Sequence, residues 1–301
     1  MTIDFLKYKN FFLAVSLILV ISCVALMFFW PLKPSIEFTG GAVLEIEYQD
    51  NRPGVEEIQE KIKDLGLEEV IVQQTGDKGI ILRMQSASED AHQKITEKLQ
   101  ETGAFEEQSF EAIGPVVGKE LSQKTVLLII VSLAAMLLYI AFAFRNVPGP
   151  VNSWIYGLAS FLMLGHDVII PLGVFAALGN FYGVQITIPI ITALLTVVGY
   201  AINNVIVVYD RTRENLVKSR NLSFGEVANL SINQTLSRQI NTSLAVLFPL
   251  FAIYFMSGAA LKYFSLALII GIVTGTYSSI FLATPMLVAW LNFRNRKAKK
   301  R

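Results

Sequence analysis

The chain has 301 residues, of which 53% are hydrophobic and 16% are charged. Its mean hydropathy of +0.52 lies above that of a typical soluble domain and predicts a membrane protein. A net charge of +1 argues against nucleic-acid binding through bulk positive charge. One cysteine, Cys23, excludes an intramolecular disulfide and multi-cysteine metal sites, and two histidines exclude most His-rich sites, so we expect no cofactor.

Six hydrophobic runs are long enough to cross a bilayer, because a membrane helix needs about 20 mostly apolar residues. The first run ends in Trp30 and Pro31 rather than at a small-residue cleavage site. It therefore indicates a retained anchor, with a cleaved leader as the alternative. The predicted transmembrane segments are residues 11–31, 125–145, 151–174, 185–209, 240–257 and 263–291. They leave an N-terminal segment at 1–10, an amphipathic connection at 210–239 and a basic tail at 292–301.

An insert about the size of a small domain, residues 32–124, separates the first two transmembrane segments. Alternating apolar residues predict four strands, and helical periodicity predicts two helices. The order βαββαβ is typical of a ferredoxin-like α+β sandwich. Hinges are expected at 33–41 and 114–124, where Gly and Pro concentrate. The predicted strands are Ala42–Tyr48, Val70–Thr75, Gly79–Met84 and Ala104–Ile113, and the predicted helices are Val55–Leu65 and Ser88–Glu101, the second opened by Ser86 or Ser88.

The distribution of charge predicts the orientation in the membrane. The insert has ten basic and 19 acidic residues, a net charge of −9. The sequence therefore predicts a polytopic α-helical membrane protein with six transmembrane helices, both termini in the cytoplasm and an extracytoplasmic α+β domain between helices 1 and 2. The 14 basic residues assigned to the cytoplasmic side are Lys7, Lys9, Arg145, Arg211, Arg213, Lys218, Arg220, Arg238, Arg294, Arg296, Lys297, Lys299, Lys300 and Arg301.

No enzyme motif is present in the sequence. It contains no Walker A sequence, no HExxH and no GxGxxG, and no Ser or Cys in the context of a nucleophile elbow. We therefore expect a protein that is not an enzyme.

Polar residues inside the transmembrane segments are the candidate functional residues, because burying them in hydrocarbon is costly unless they face a partner or a wet cavity. Asp167, next to His166, lies about 20 Å along its helix from Trp154, at a rise of about 1.5 Å per residue. This depth places Asp167 within the bilayer. The pair forms either part of a proton relay or a structural contact between helices.

The fourth and fifth segments contain further polar residues. Asn203 and Asn204 interrupt a β-branched run, and Arg238 precedes the fifth segment. The Arg238 guanidinium must either snorkel to water or meet acceptors such as Asn204, Asn233 or Asn241. We assign four polar residues of the transmembrane segments to a candidate intramembrane polar cluster or proton relay: His166, Asp167, Asn204 and Arg238.

Two regions near the cytoplasmic ends of the segments have simpler interpretations. Asp210, Arg211, Arg213 and Glu214 indicate a solvated helix end more than a site. Residues 223–236 predict a short amphipathic helix that lies on the membrane surface or contacts a partner.

Five strings in chain order resemble the SecF subunit family of the bacterial Sec protein translocase, which has a membrane fold of the resistance-nodulation-division type. They are SIEFTGG, AIGPVVGKEL, the tripeptide HDV, GYAINN with VVYDRTREN, and NQTLSRQINTS. Together they extend over nearly the whole chain. The motif positions are Glu37, Phe38, Thr39, Gly40, Gly41, Gly114, Pro115, Gly118, Gly199, Asn203, Asp210, Arg211, Arg213, Glu214 and Asn215.

The resemblance implies an accessory subunit in the bacterial cytoplasmic (inner) membrane. Its implied partners are SecD, the SecYEG channel, SecA indirectly, unfolded preprotein and membrane lipid, with no nucleic acid. The implied role is to promote late translocation and release of preprotein, driven by the proton motive force. The family usually has Asp at the position of Asn204, with Arg238 as its partner. Because Asn does not titrate, proton coupling then falls to SecD or to Asp167.

Two other classes of function are compatible with a membrane protein of this size. A secondary transporter or exporter of small molecules or lipids would have an internal repeat and a midplane cavity. No clear repeat is found in the sequence. Six transmembrane segments are half of a twelve-helix pseudo-symmetric transporter, and this number favours a chain that works with a partner subunit. A purely structural assembly factor would not need Asp167 or Arg238 within the membrane.

Overall fold

The computed structural model describes residues 3–63, 65, 70–85, 88–144, 150–219 and 221–298. These residues form two compact units. The helix bundle is made of described residues within 1–31, 129–177 and 189–301, and the sheet unit of those within 32–128 and 178–188. The described part contains six helical segments long and apolar enough to span a membrane, with a four-stranded sheet between the first and second. This confirms the predicted fold class.

The helices run longer than the sequence predicts in several places. Helix α5 begins ten residues earlier than its predicted transmembrane segment, and the sixth crossing is α9 and α10 joined by a π-helical turn at Ser279–Ala283. In chain order, after a 3₁₀ turn at Phe5–Tyr8, the helices are α1 (Lys9–Phe29), α2 (Ile36–Thr39), α3 (Val55–Lys63), α4 (Glu89–Gln100), α5 (Pro115–Ala143), α6 (Ser153–Tyr182), α7 (Ile188–Lys218), α8 (Phe224–Met256), α9 (Ala259–Ser278) and α10 (Thr284–Ala298).

The sequence predicts residues 210–239 as a separate connection between two transmembrane helices, and this prediction is wrong. Its first part continues α7 to Lys218, and its last part is the beginning of α8, which runs unbroken through the predicted fifth segment. No Gly or Pro occurs between Glu226 and Phe248, so nothing interrupts the helix where the predicted connection ends. Pro249 lies further along α8, and the helix continues past it to Met256. A capping box formed by Ser223 and Glu226 fixes its start.

Close contacts between small residues hold the bundle together. A Cβ placed at Gly275 would lie 3.2 Å from the Cβ of Ala201, and one at Gly271 would overlap the side chain of Val197. The two glycines therefore let α9 pack directly against α7. Tyr156 and Tyr209 are also buried in the bundle, with ring centroids 5.0 Å apart.

The sheet unit has the predicted βαββαβ order. Its strands pair in the order β2-β3-β1-β4, with all neighbours antiparallel, as in a ferredoxin-like sandwich. One face of the sheet packs on α3 and α4, which bury Ile58, Ile95 and Leu99. The strands are β1 (Gly41–Tyr48), β2 (Ile71–Thr75), β3 (Gly79–Met84) and β4 (Phe105–Ile113).

The expected hinge residues make close backbone contacts with one another. Gly40 and Gly41 have φ of +78° and +128°, which favour glycine. A Cβ at Gly40 would lie 2.8 Å from the Cα of Pro115, and one at Gly118 would lie 2.7 Å from the N of Gly40. Close packing thus accounts for the presence of glycine at these positions. The expected hinge motion of the insert about residues 33–41 and 114–124 stays a prediction.

The sheet unit also includes a segment that the sequence assigned to a transmembrane helix. Ile186 N donates to the Lys33 carbonyl oxygen at 2.7 Å, and Ser35 N donates to the Ile186 carbonyl oxygen at 3.0 Å. Glu37 Oε2 accepts from Ile188 N at 2.5 Å and from Ser35 Oγ at 3.0 Å. The acidic residue of the SIEFTGG motif therefore fixes the segment before α7.

Five basic residues used to predict the orientation, and Ser86, lie outside the described residues. The five are Arg145, Arg220, Lys299, Lys300 and Arg301.

Candidate functional site

Polar side chains are buried along the interior of the helix bundle. Asp167 is completely buried on α6, and Asn204 on α7 and Gln239 on α8 are nearly so. Hydroxyl groups on α9 and the π-helical turn face them. The buried polar residues of α9, the turn and α10 are Ser265, Ser278, Ser279 and Thr284.

Asp167 is the one buried carboxylate among the described residues. Its Oδ1 lies 2.9 Å from His166 Nδ1, and its Oδ2 accepts from Ser278 Oγ at 2.8 Å. Pro171, four residues later, has no N–H, so the Asp167 carbonyl lacks its helical donor. Gly275 is also near, since a Cβ there would lie 3.7 Å from Oδ2, an ordinary contact distance. Among the described residues, the carboxylate therefore contacts neutral or weakly basic groups and forms no ion pair with Lys or Arg.

His166 extends this cluster toward α1. Its ring stacks on Tyr277 with centroids 6.1 Å apart, and Tyr277 Oη accepts from Ser16 Oγ at 3.2 Å. The Nε2 atom of His166 is buried and has no hydrogen-bond partner in the described part of the chain. The ring therefore has one nitrogen on a carboxylate and one that is buried and unsatisfied.

Asn204 lies at the same level as Ser278. Two contacts set the alignment of α7 with the last crossing: Ala201 meets Gly275, and Tyr209 Oη donates to the Ala283 carbonyl oxygen at 3.2 Å. This alignment places Asn204 at the level of Ser278 along the two helices, and Ser278 donates to Asp167. The Nδ2 of Asn204 is buried and, within the described residues, has no acceptor. An unsatisfied buried amide costs free energy and marks a place where a further group could bind.

Of the two alternatives for Arg238, the contact with Asn204 is not formed, because Arg238 is exposed and Asn204 is buried. The Arg238 side chain forms no ion pair with any described residue, whereas its neighbour Gln239 points into the bundle. Successive residues of a helix point about 100° apart, so only one of the two can face inward. Gln239 Oε1 accepts from Ser279 Oγ at 2.5 Å, and its Nε2 donates to Thr235 Oγ1 at 3.2 Å.

A second group of hydroxyls joins α7, α8 and α9. Ser243 Oγ lies 2.7 Å from Tyr200 Oη and 2.6 Å from Thr276 Oγ1. Sequence reasoning missed these residues together with Gln239 and Ser278. Single hydroxyls are common in apolar helices, and nothing in the local sequence indicates which of them face the interior.

The remaining motif residues connect helices rather than forming a site. Asp210, Arg211, Arg213 and Glu214 form ion pairs within α7 that are largely exposed, as predicted for a solvated helix end. Asn215 is buried and donates to Ser231 Oγ at 2.9 Å and to Gln234 Oε1 at 2.8 Å, which ties α7 to α8.

Other motif residues line the contacts between neighbouring segments. Thr39 Oγ1 donates to the Ser35 carbonyl oxygen at 3.2 Å, and Phe38 is half-buried beside it. Gly114 precedes α5, and Gly199 is half-buried on α7. Asn203 is exposed on α7, on the side of the helix away from Asn204.

The described residues contain no group of three or more His, Cys, Asp or Glu side chains placed to hold a metal ion. The ionisable side chains buried in the cluster are Asp167 and His166. Hydroxyl and amide groups around them can relay hydrogen bonds but do not change charge.

Comparison with known proteins identifies similar sequences over the whole chain. Residues 94–293 match the family model described as protein export membrane protein SecD/SecF, C-terminal. The protein translocase subunit SecF of Thermobaculum terrenum is 37% identical over 306 residues, covering 96% of this chain and 94% of the relative. The SecDF subunit of Thermus thermophilus is 35% identical, covering 99% of this chain but 39% of the relative.

A solved structure is similar to the same extent. The crystal structure of SecDF from Thermus thermophilus, a translocon-associated membrane protein, aligns with a TM-score of 0.87 at 34% identity. The alignment covers 97% of this chain and 39% of that chain.

Proposed function

The chain belongs to the SecD/SecF family of protein-export membrane proteins, and we propose that it acts with SecD to promote late, proton-motive-force-dependent translocation and release of preprotein. As a SecF subunit of the Sec system it is a multi-pass membrane protein and a transport component rather than an enzyme. The observation that carries the proposal is the buried Asp167 cluster within a family of translocase subunits. The small-molecule exporter is disfavoured by this membership.

A polar face on α7 and α8 supports association with SecD. Thr192, Thr196 and Asn203 are exposed along one side of α7, and Arg238 and Asn241 are exposed on α8. Polar groups facing lipid are costly, so a membrane partner that covers them stabilises the pair. The Thermus SecDF is a longer polypeptide of which this chain matches 39%, which is consistent with a SecD part beside a SecF part.

Asp167 supports the coupling to the proton motive force. Moving one charge through the membrane potential provides about 2.3 kcal/mol per 100 mV, so a subunit that uses this energy needs a group that changes charge within the field. Asn204 has no ionisable group, whereas Asp167 is a carboxyl group and has His166 beside it. We therefore assign the charge change in this subunit to Asp167.

The orientation follows from the charge distribution. With both termini in the cytoplasm, the acidic sheet unit lies outside the cytoplasmic membrane, where emerging unfolded preprotein leaves SecYEG. SecA, on the cytoplasmic side, is then an indirect partner. In a Cys23→Ala background, a cysteine at Asp50 should react with a membrane-impermeant thiol reagent in intact cells, and one at Arg296 should not. Equal labelling at both sites would contradict this orientation.

The proposal is tested by preprotein release from spheroplasts depleted of the chain and complemented with it. We expect release to be slow without the chain, to recover on complementation and to slow again when an uncoupler is added. SecD and SecY should be present when the complemented chain is purified from the membrane. Release that is equally fast with and without the chain would contradict the function, and absence of SecD would contradict the partnership.

A further inference from the structure

A cleft of about 890 Å³ opens at one end of the helix bundle, where α1 begins and α10 ends. It lies within one unit and is distinct from the Asp167 cluster. One part of its wall is apolar and the other is polar and charged. The apolar wall is formed by Leu6, Leu222, Phe224, Leu230, Val288 and Leu291, and the charged residues are Asp4, Lys7, Lys9 and Glu226.

The N-terminal segment that forms one wall is held in place by two asparagines of α8. Asn229 Oδ1 accepts from Phe5 N at 2.9 Å, and its Nδ2 donates to the Ile3 carbonyl oxygen at 3.0 Å. Asn233 Oδ1 accepts from Ile3 N at 2.9 Å, and its Nδ2 donates to the same carbonyl at 2.8 Å. Four hydrogen bonds thus fix the backbone of Ile3 and Phe5, which precede Lys7 and Lys9, relative to α8.

The charged groups of the cleft retain hydrogen-bonding capacity. Glu226 uses Oε2 to accept from Ser223 N and Oγ, at 2.8 and 2.7 Å, and Asp4 uses Oδ1 to accept from Lys7 N at 3.1 Å. The second oxygen of each carboxylate has no partner among the described residues. The Lys9 ammonium likewise has no acidic partner in the described part of the chain. Two cations and two anions therefore face one cleft.

The cleft lies at the level of a membrane interface. The apolar run of α1 begins at Phe11 and that of α10 ends at Leu291, and basic residues follow in α10. At this depth a bilayer presents its headgroups next to the first carbons of the acyl chains.

We propose that the cleft binds a phospholipid whose headgroup carries both a phosphate and a primary ammonium. The phosphate meets Lys7 and Lys9, the ammonium donates to the second oxygens of Asp4 and Glu226, and the acyl chains lie along the apolar wall. A purely anionic headgroup leaves both carboxylates unpaired and repelled by the phosphate. A quaternary ammonium has no N–H to donate to them.

Binding of defined lipids to the delipidated full-length chain tests the site. Native mass spectrometry with added phosphatidylethanolamine, phosphatidylglycerol and phosphatidylcholine should give at least about fivefold more bound phosphatidylethanolamine than either other lipid, since hydrogen bonds to charged groups are the stronger class. Inorganic phosphate and free phosphoethanolamine are each added as competitors of the bound lipid in two further experiments. Neither should compete at equal concentration, because each lacks the acyl chains that meet the apolar wall.

Single substitutions assign the binding to this cleft. Lys9→Gln and Glu226→Gln should each lower the retained phosphatidylethanolamine by about fivefold, and Lys9→Arg should restore it. Gln at 226 keeps the capping box, so the start of α8 is preserved. Lys262→Gln, which removes an exposed cation at the start of α9, should change nothing. The proposal would be overturned if all three lipids were retained equally, if phosphatidylglycerol were preferred, or if free phosphate competed. It would also be overturned if a co-purified protein occupied the cleft or if Lys9→Gln retained the lipid fully.

Discussion

The sheet unit and the helix bundle place their polar residues in opposite positions. Among the described residues, the sheet unit buries a single polar side chain, Ser35, and between residues 32 and 113 Ile71 is the one large apolar side chain that is exposed. The helix bundle exposes large apolar side chains such as Leu17, Ile18 and Leu138. Its interior contains Asp167, among other polar groups.

The difference follows from the solvent that each unit faces. In water, apolar burial stabilises the sheet unit, and polar side chains lie outside at little cost. In lipid, an apolar surface costs nothing, so the interior is where polar groups find hydrogen-bond partners. Buried polar residues are therefore informative about function in the bundle, whereas in the sheet unit the buried residues report only on packing.

The largest expected effect is that of Asp167→Asn, which tests whether the polar interior of the bundle acts in coupling. Asn is close in size and can still accept from Ser278, so the chain should assemble with SecD. Because the amide does not titrate, we expect preprotein release from spheroplasts to lose its sensitivity to an uncoupler. Release would be measured with and without the uncoupler.

The matched control is Asp210→Asn, which removes a carboxylate of the same type at the exposed end of α7. That variant should remain uncoupler-sensitive. An Asp167→Asn protein that assembles normally and is still fully sensitive would show that SecD alone carries the proton.

The next largest effect contrasts a buried leucine of the sheet core with an exposed leucine on α5. Leu82 is completely buried in the sheet core, so Leu82→Ala should lower the free energy of unfolding of the sheet unit by about 2–5 kcal/mol. Leu128 is exposed on α5, and Leu128→Ala should change that free energy by less than about 0.5 kcal/mol. Hydrogen exchange of β1 and β3 in the full chain would measure both. Similar losses of protection would contradict the assignment of Leu128 to a lipid-facing surface.

The sequence predicts the sheet unit better than the polar interior of the bundle. Period-two alternation in β1 and β3 and helical spacing in α4 are local signals, and they locate each element to within a few residues. The contact between Asp167 and Ser278 joins residues 111 positions apart, and no local pattern indicates it. Arg238 and Gln239 illustrate the limit, since a change of one residue in helical phase decides which side chain faces inward.

A smaller effect is expected at the glycines near the start of the sheet. Gly41 has a φ of +128°, and a Cβ there would lie 2.5 Å from the Met84 carbonyl oxygen, so Gly41→Ala should destabilise the sheet unit by about 1–3 kcal/mol. Gly54→Ala is the control, because nothing lies within 4 Å of its Cβ position. Exchange protection of β1 and β3 would fall only in the first variant. Unchanged protection in Gly41→Ala would show that the close contact relaxes without cost.

The smallest expected effect is a dependence of the sheet unit on pH through His92. Its ring stacks on Phe110 at 3.9 Å, and its nitrogens lie 3.2 Å from Glu89 Oε1 and 3.0 Å from Glu107 Oε2. Burial opposes the charged form of His92, but the hydrogen bonds to Glu89 and Glu107 outweigh it and raise its pKa above the ordinary value of 6.5. Charged His92 therefore stabilises the folded unit fully below pH 6.5, and this contribution is lost as the pH rises through the raised value. Exchange protection of α4 and β4, corrected for intrinsic rates, should fall slightly between pH 6 and pH 8 in the native chain and stay level in His92→Gln. Because both carboxylates are partly exposed, the change should remain below that of Gly41→Ala, and an increase in protection over the same range would contradict the assigned direction.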